Sequence, residues 1–209
     1  MYTLFYSPGS ASMAPHAMLE EIGAKYVLKR VEISGDKPRD PEYLKLNPLG
    51  RVPTLAIAGG ETIYESVAIT MYLADRHPEP KLAPAVSDPL RGPYYQWLAH
   101  LTNTLQEAYL LFFYPDRNTT RPEQAPDIKD KALTRIDGVW SNLDQALARR
   151  GPYLLGERCS AADIYMHMLY TWYEPAAALA ARCPQVARCV DLVAQRPAVK
   201  RMLQQNGMA

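Results

Sequence analysis

Side chains from Tyr2 to Tyr6 alternate like those of a half-buried strand, and the stretch from Ser12 to Ile22 ends at Gly23 as a helix does. Tyr26 to Glu32 is again extended and β-branched, so the chain opens as a βαβ unit. Thr54 to Ala58 and Glu61 to Tyr64 flank Gly59-Gly60, a two-residue hairpin signal, and predict two antiparallel strands. A helix follows from about Ser66 to Arg76 and is stopped by His77-Pro78-Glu79-Pro80. The stretch through Pro84 and Pro89 reads as a linker, and everything beyond it reads as helical. Tyr94 to Tyr114 is a long apolar segment, and Pro115 to Pro126 is a polar, proline-rich loop. Asp127 to Arg150 then places Ile128, Ala132, Ile136, Val139, Leu143 and Leu147 on one helical face. Ser160-Ala161-Ala162-Asp163, ahead of the apolar run Ile164 to Tyr173, has the spacing of a helix capping box with Asp in place of Glu or Gln.

The element order β-α-β followed by β-β-α is that of a thioredoxin-like domain. The fold class expected is therefore an α/β N-terminal thioredoxin-like domain plus an all-α C-terminal domain, with residues 1–78 in the first, 79–89 as linker and 90–209 in the second. A length of 209 residues is enough for two small domains, each with a core. Lys and Arg number 23 against 22 Asp and Glu, so no global field draws the protein to nucleic acid or to an anionic membrane. The first residues lack a basic segment ahead of an apolar run, and no apolar stretch approaches the roughly 20 residues that span a bilayer, which predicts a soluble, cytoplasmic protein. Cys159, Cys183 and Cys189 form neither a CxxC nor any Cys/His ligand spacing, so they read as reduced thiols and no metal is expected. His100 and His167 have no neighbouring ligand set, and His16, beside Pro15, reads as structural.

Candidate chemistry sits first in Asn47-Pro48-Leu49-Gly50-Arg51-Val52-Pro53 and in Glu65-Ser66. Val52 is pushed towards an extended backbone by the proline after it, and a cis Val52-Pro53 bond would turn its N–H and C=O outward to pair with a peptide-like ligand. Glu65 can accept from an ammonium, while Ser66 opens a helix whose free N–H groups suit a carboxylate. A ligand with both charges on one carbon fits the pair. These two motifs resemble the glutathione-binding site of cytosolic glutathione transferases, and the resemblance extends over nearly the whole chain. It implies glutathione as cosubstrate, the valine and cis-proline holding the cysteinyl backbone, Glu65-Ser66 holding the γ-glutamyl end, and Arg51 available to the glycine carboxylate. It also implies a homodimer packed through the long helices.

The turn from Tyr6 to His16 lies where thioredoxin-like proteins keep their reactive group, and here that group is a hydroxyl. A serine is too weak an acid to serve as base, so its expected work is to donate a hydrogen bond to the glutathione thiolate, aided by a helix N-terminus. Ser10, Ser12 and Tyr6 compete for this role. Ser10 aligns with the catalytic serine of the insect delta class, and Tyr6 with the tyrosine of the alpha, mu and pi classes. The overall pattern is most similar to bacterial beta-class enzymes, but Ala11 stands at their cysteine and Gln106-Glu107 at their His-Lys pair. Tyr109, Phe113, Tyr165 and Trp172, with Phe112, Tyr114 and Tyr173 near them, are candidates to wall an apolar pocket for a second substrate, against the alternative that such a stripe is core. The function implied is conjugation of glutathione to apolar electrophiles, as in detoxification. A glutathione-dependent isomerase or reductase, and a non-catalytic glutathione-binding protein of the same fold, are the alternatives.

Overall fold

The computed structural model describes residues 1–33 and 39–208. The described residues divide into two compact units, Met1–Ala83 joined by the tail from residue 194 onward, and Pro84–Val193. The tail therefore differs from the sequence reading, which ran the helical domain to the end of the chain.

In the first unit, β1 (Tyr2–Tyr6), α1 (Met13–Glu21) and β2 (Tyr26–Arg30) form the expected βαβ unit, with β1 and β2 parallel. A short helix α2 (Pro41–Leu46) precedes β3 (Thr54–Ala56) and β4 (Thr62–Tyr64), and α3 (Ser66–Arg76) closes the unit's first pass. The strands form one sheet in the order β2-β1-β3-β4, with β1–β3 and β3–β4 antiparallel. This is the thioredoxin-like arrangement. β1 is central, so Leu4 is fully buried. Every residue of α1 from Met13 to Leu19 is buried, because the helix contacts both α3 and the tail helix α10 (Pro197–Gln205). A helix covered on several sides has little use for a polar face, and α1 accordingly carries its charges only at its end, in Glu20 and Glu21. Those two bind the tail: Glu21 takes Arg196 bidentately at 2.5 and 2.7 Å, and Glu20 takes Arg201 at 2.5 Å.

The second unit is helical throughout. The long apolar segment becomes α4 (Arg91–His100) and α5 (Glu107–Phe113), joined by a π-helical stretch at Leu101–Gln106. The proline-rich loop holds two short 3₁₀ turns before α6 (Ala125–Arg150), whose apolar face buries Ala132, Ile136, Val139, Trp140, Leu143 and Leu147. Ile128, expected on that face, is not among them. α7 (Ala161–Tyr170) starts at the anticipated capping box: Asp163 accepts from Ser160 N at 2.8 Å and from the Ser160 hydroxyl at 2.8 Å. Its other oxygen takes Leu154 N at 2.8 Å and the Cys189 thiol at 3.7 Å. Burial pushes this carboxyl upward against the pull of those donors. α8 (Ala176–Arg182) and α9 (Pro184–Ala194) complete the helical array, and Asp144 of α6 caps α9 by accepting from Gln185 N at 2.7 Å and Val186 N at 3.0 Å.

Candidate functional site

Strand register brings the sequence motifs of the first unit together. Phe5 pairs with Thr54, and Thr54 pairs with Tyr64. The C-terminal end of β1, the N-terminal end of β3 and the C-terminal end of β4 therefore lie in one row across the sheet. Three segments project from that row: the Tyr6–Ser12 turn, Val52-Pro53 and Glu65-Ser66. With neighbouring strands about 4.8 Å apart, the three are held within roughly 10 Å of one another.

The Val52-Pro53 peptide is cis, as the sequence suggested, and Val52 stands outside the ladder, which begins at Thr54. Beneath it lies a buttress that the sequence reading missed. The Asn47 amide donates to Arg51 O at 2.8 Å and to the Thr54 hydroxyl at 3.1 Å, while its carbonyl takes Leu49 N at 3.0 Å. The Tyr43 hydroxyl of α2 donates to the same Arg51 O at 2.5 Å. Arg51 O is thus held twice, which fixes the peptide plane leading into Val52. The signal for α2 was present in Asp40-Pro41: the Asp40 carboxylate caps Glu42 N at 2.9 Å and Pro41 occupies the first helical position. The Arg51 side chain itself is exposed.

Glu65 has φ 68° and ψ 110°, a left-handed conformation that a non-glycine residue adopts only under constraint. Its side chain is exposed, and Ser66, at the first position of α3, is buried. The helix begins immediately, with Glu65 O accepting from Ile69 N at 3.0 Å and Ser66 O accepting from the Thr70 hydroxyl at 2.8 Å.

Ser7, Ser10 and Ser12 form one hydrogen-bonded knot. Ser12 donates its hydroxyl proton to Ser7 O at 3.0 Å and is fully buried. Ser10 is half-buried; its hydroxyl lies 2.7 Å from Ser7 O and 2.8 Å from the Ser12 hydroxyl, and it accepts from Ser12 N at 3.2 Å. Ser12 precedes α1 without capping it through its side chain. Of the two serines, only Ser10 has surface to offer a ligand. Tyr6 is half-buried, with its ring edge-on to His16 at 6.2 Å. His16 is in turn buried, and that burial lowers its pKa; Asn206, Gln205 and Tyr26 surround its ring nitrogens at 3.1 Å. Its ring nitrogens are thus bonded within the first unit.

The candidate pocket residues of the second unit separate into two groups. Tyr109 is buried, receives a hydrogen bond from the Trp140 indole at 3.0 Å, stacks on Phe113 at 5.8 Å and meets Trp172 edge-on at 5.7 Å. Tyr165 is fully buried and donates to Gln106 at 2.5 Å. Both tyrosines spend their hydroxyls and surface inside the core, and so depart from the pocket-lining expectation. Phe113, at 46 % exposure, and the half-buried Trp172 retain accessible surface. Among the described residues no group of three or more His, Cys, Asp or Glu is placed to hold a metal, and no helix is long and apolar enough to cross a membrane.

Residues 1–75 match the family described as "glutathione S-transferase, N-terminal domain", and residues 103–206 match its "glutathione S-transferase, C-terminal domain". The chain belongs to the glutathione S-transferase family. A glutathione S-transferase of Escherichia coli O157:H7 is 28 % identical over 206 residues, covering 98 % of each chain. A maleylacetoacetate isomerase of Pseudomonas aeruginosa is 30 % identical over 210 residues, covering 96 % of this transferase-family chain and 93 % of the isomerase. Among solved structures, a sphingomonad glutathione S-transferase complexed with glutathione superposes with a TM-score of 0.83 at 31 % identity, covering 99 % of this chain and 100 % of the other.

Proposed function

We propose that this protein binds glutathione along the row formed by Val52, Glu65 and Ser66, lowers the pKa of its thiol through Ser10, and transfers the sulfur to an apolar electrophile. The carrying observation is the convergence of the three loops at one end of the sheet, with Phe5, Thr54 and Tyr64 in register. Val52 offers backbone to the cysteinyl residue, the exposed Glu65 carboxylate faces the γ-glutamyl ammonium, and the N-terminus of α3 at Ser66 receives the carboxylate on the same carbon. Arg51, exposed on the same loop, pairs with the glycine carboxylate.

Hydroxyl bookkeeping explains how Ser10 can do this work and what Ser12 is for. Ser7 O already receives the Ser12 proton, so Ser10 can swing its own proton to a thiolate without orphaning that carbonyl. It continues to accept from Ser12 N, which holds it in place. A charge-assisted hydrogen bond contributes about 1.5–3 kcal/mol, enough to lower a thiol pKa by about 1–2 units. Ser10 is then the catalytic donor, Ser12 its positioner, and Tyr6 a wall of the turn. Within the second unit, Phe113 and Trp172 are the pocket candidates that keep accessible apolar surface, which suits an apolar compound. The enzyme acts in the cytoplasm as a homodimer, which light scattering tests directly. Ala11 stands where disulfide chemistry would need a thiol, so reductase activity is not the reading favoured.

Ultraviolet titration of bound glutathione, with turnover of an aryl halide, tests the assignment. Ser10→Ala raises the thiol pKa by about 1–2 units and slows turnover by roughly the same powers of ten, whereas Tyr6→Phe does neither. An unshifted thiol in the wild type, with no turnover, would replace the transferase by a glutathione-binding protein. The 30 % identity to the isomerase favours a second reading, in which the glutathione adduct rotates and expels the thiol unchanged. Product analysis with a cis-enone acid distinguishes the two, since isomerisation leaves glutathione unconsumed.

A further inference from the structure

The first unit has a second concavity, at the end of its sheet opposite the loops described above. It is a cavity of about 400 Å³ lined by Tyr2, Lys25, Ala58, Tyr72, Arg76 and His77 among others. Tyr2 opens β1, Lys25 immediately precedes β2, Ala58 follows β3, and Tyr72, Arg76 and His77 come from the last turn of α3 and its cap. Since β1 advances about 3.3 Å per residue, its five residues put this cavity roughly 13 Å from the Ser10 end. The size falls within the range of small-molecule pockets.

Its lining combines rings with cations and includes no carboxylate. The Tyr2 hydroxyl and His77 Nε2 are 2.9 Å apart, with their rings edge-to-face at 6.0 Å and 72°. Tyr72 and Arg76 are four residues apart and share one face of α3. Lys25 is anchored through its carbonyl, which accepts from Tyr2 N at 3.1 Å. Among the described residues neither Lys25 nor Arg76 forms a salt bridge, whereas Arg196 and Arg201 are held by Glu21 and Glu20. Lys25 and Arg76, both exposed, thus border a concavity that Tyr2, Tyr72 and His77 also line, an arrangement that suits one negative charge on a flat apolar body.

We propose that this cavity is a second ligand site, built for a small aromatic carboxylate that lies against Tyr2, Tyr72 and His77 with its charge on Arg76 and Lys25. The guanidinium receives the carboxylate as a bidentate pair and Lys25 adds a point charge. A phosphate dianion fits less well, because most of the wall is ring and aliphatic surface that gives it no donors. Burial and the neighbouring Tyr72 raise the Tyr2 phenol pKa against the pull of Arg76. The site is independent of glutathione chemistry and stands or falls apart from it.

Calorimetric titration of the full chain with 1-naphthoate tests this, with inorganic phosphate titrated in parallel. Binding of one naphthoate per chain is expected, weakened roughly tenfold by Arg76→Ala and less by Lys25→Ala. Both side chains are exposed, so the variants retain the fold; Glu65→Ala, at the other end of the sheet, leaves the affinity unchanged. No naphthoate binding, equal affinity in wild type and Arg76→Ala, or loss of binding in Glu65→Ala would each overturn the proposal. Phosphate binding stronger than naphthoate would overturn the ligand class.

Discussion

Glu65 is the residue at which stability and binding should pull in opposite directions. Its φ of 68° and ψ of 110° place an L-residue in sparsely allowed space, at a cost of about 1–3 kcal/mol. Glycine adopts such angles freely but loses about 0.5–1 kcal/mol more backbone entropy on folding. Glu65→Gly should therefore stabilise the protein by about 0.5–2 kcal/mol, which for a chain of this size raises Tm by about 1–8 °C. Glu65→Ala keeps the strained backbone and removes only an exposed side chain, so its Tm should stay within about 2 °C of the parent. Both variants lose the carboxylate proposed to meet the γ-glutamyl ammonium, and both should bind glutathione roughly 10- to 150-fold more weakly, as befits a lost charged hydrogen bond. Scanning calorimetry and titration calorimetry on the three proteins read the two quantities separately. A glycine variant no more stable than the alanine variant would refute the strain argument. Unchanged glutathione affinity in both would remove Glu65 from the site.

Other outcomes follow from the same geometry. Gly50→Ala should cost about 1–2 kcal/mol in urea unfolding, because φ is +61° there and a Cβ would sit 3.0 Å from Arg39 Cγ and 3.2 Å from Leu44 Cδ2. His167 is buried and its pKa falls from 6.5 to about 4, so the folded protein refuses a proton that the unfolded chain accepts. Stability is then complete above pH 6.5 and drops by about 3 kcal/mol as pH falls towards 4, a loss that chemical unfolding of His167→Gln should show to be smaller. Asp163→Ala orphans Ser160 N and Leu154 N inside the core and should cost at least about 3 kcal/mol by denaturant titration; a loss below about 1 kcal/mol would mean that water replaces the carboxylate. Ser12→Ala should lose about 1 kcal/mol of stability and part of its turnover, because Ser10 is then the side-chain donor left to Ser7 O, but it should lose less turnover than Ser10→Ala.

Legibility of the chain depended on how local the cause was. The capping box of α7 and the Gly59-Gly60 hairpin were readable because their partners lie a few residues apart. The turn at Val52-Pro53 was readable for the same reason, yet what holds it was not: α2 has six residues, too few to show a period, and Tyr43 reaches Arg51 through tertiary packing. Whether Ser10 or Ser12 is accessible turns on which way two neighbouring hydroxyls face, a matter of turn geometry that spacing cannot carry. The aromatic stripe failed as a pocket for Tyr109 and Tyr165 because periodicity marks a buried face without saying whether protein or ligand buries it. The π-helical stretch at Leu101–Gln106 left no mark that the sequence reading could use.

The tail helix fastened to α1 has a consequence for biosynthesis. On a ribosome the strands and α3 emerge first, followed by the entire helical unit, and only then do Arg196, Arg201 and Asn206 arrive to meet Glu21, Glu20 and His16. Until they do, the helix that carries the Ser10 turn lacks one of its packing partners. The first unit is thus translated ahead of the second yet completed after it, and a nascent chain stalled anywhere in the second unit would hold the first unfinished and exposed to chaperones and proteases.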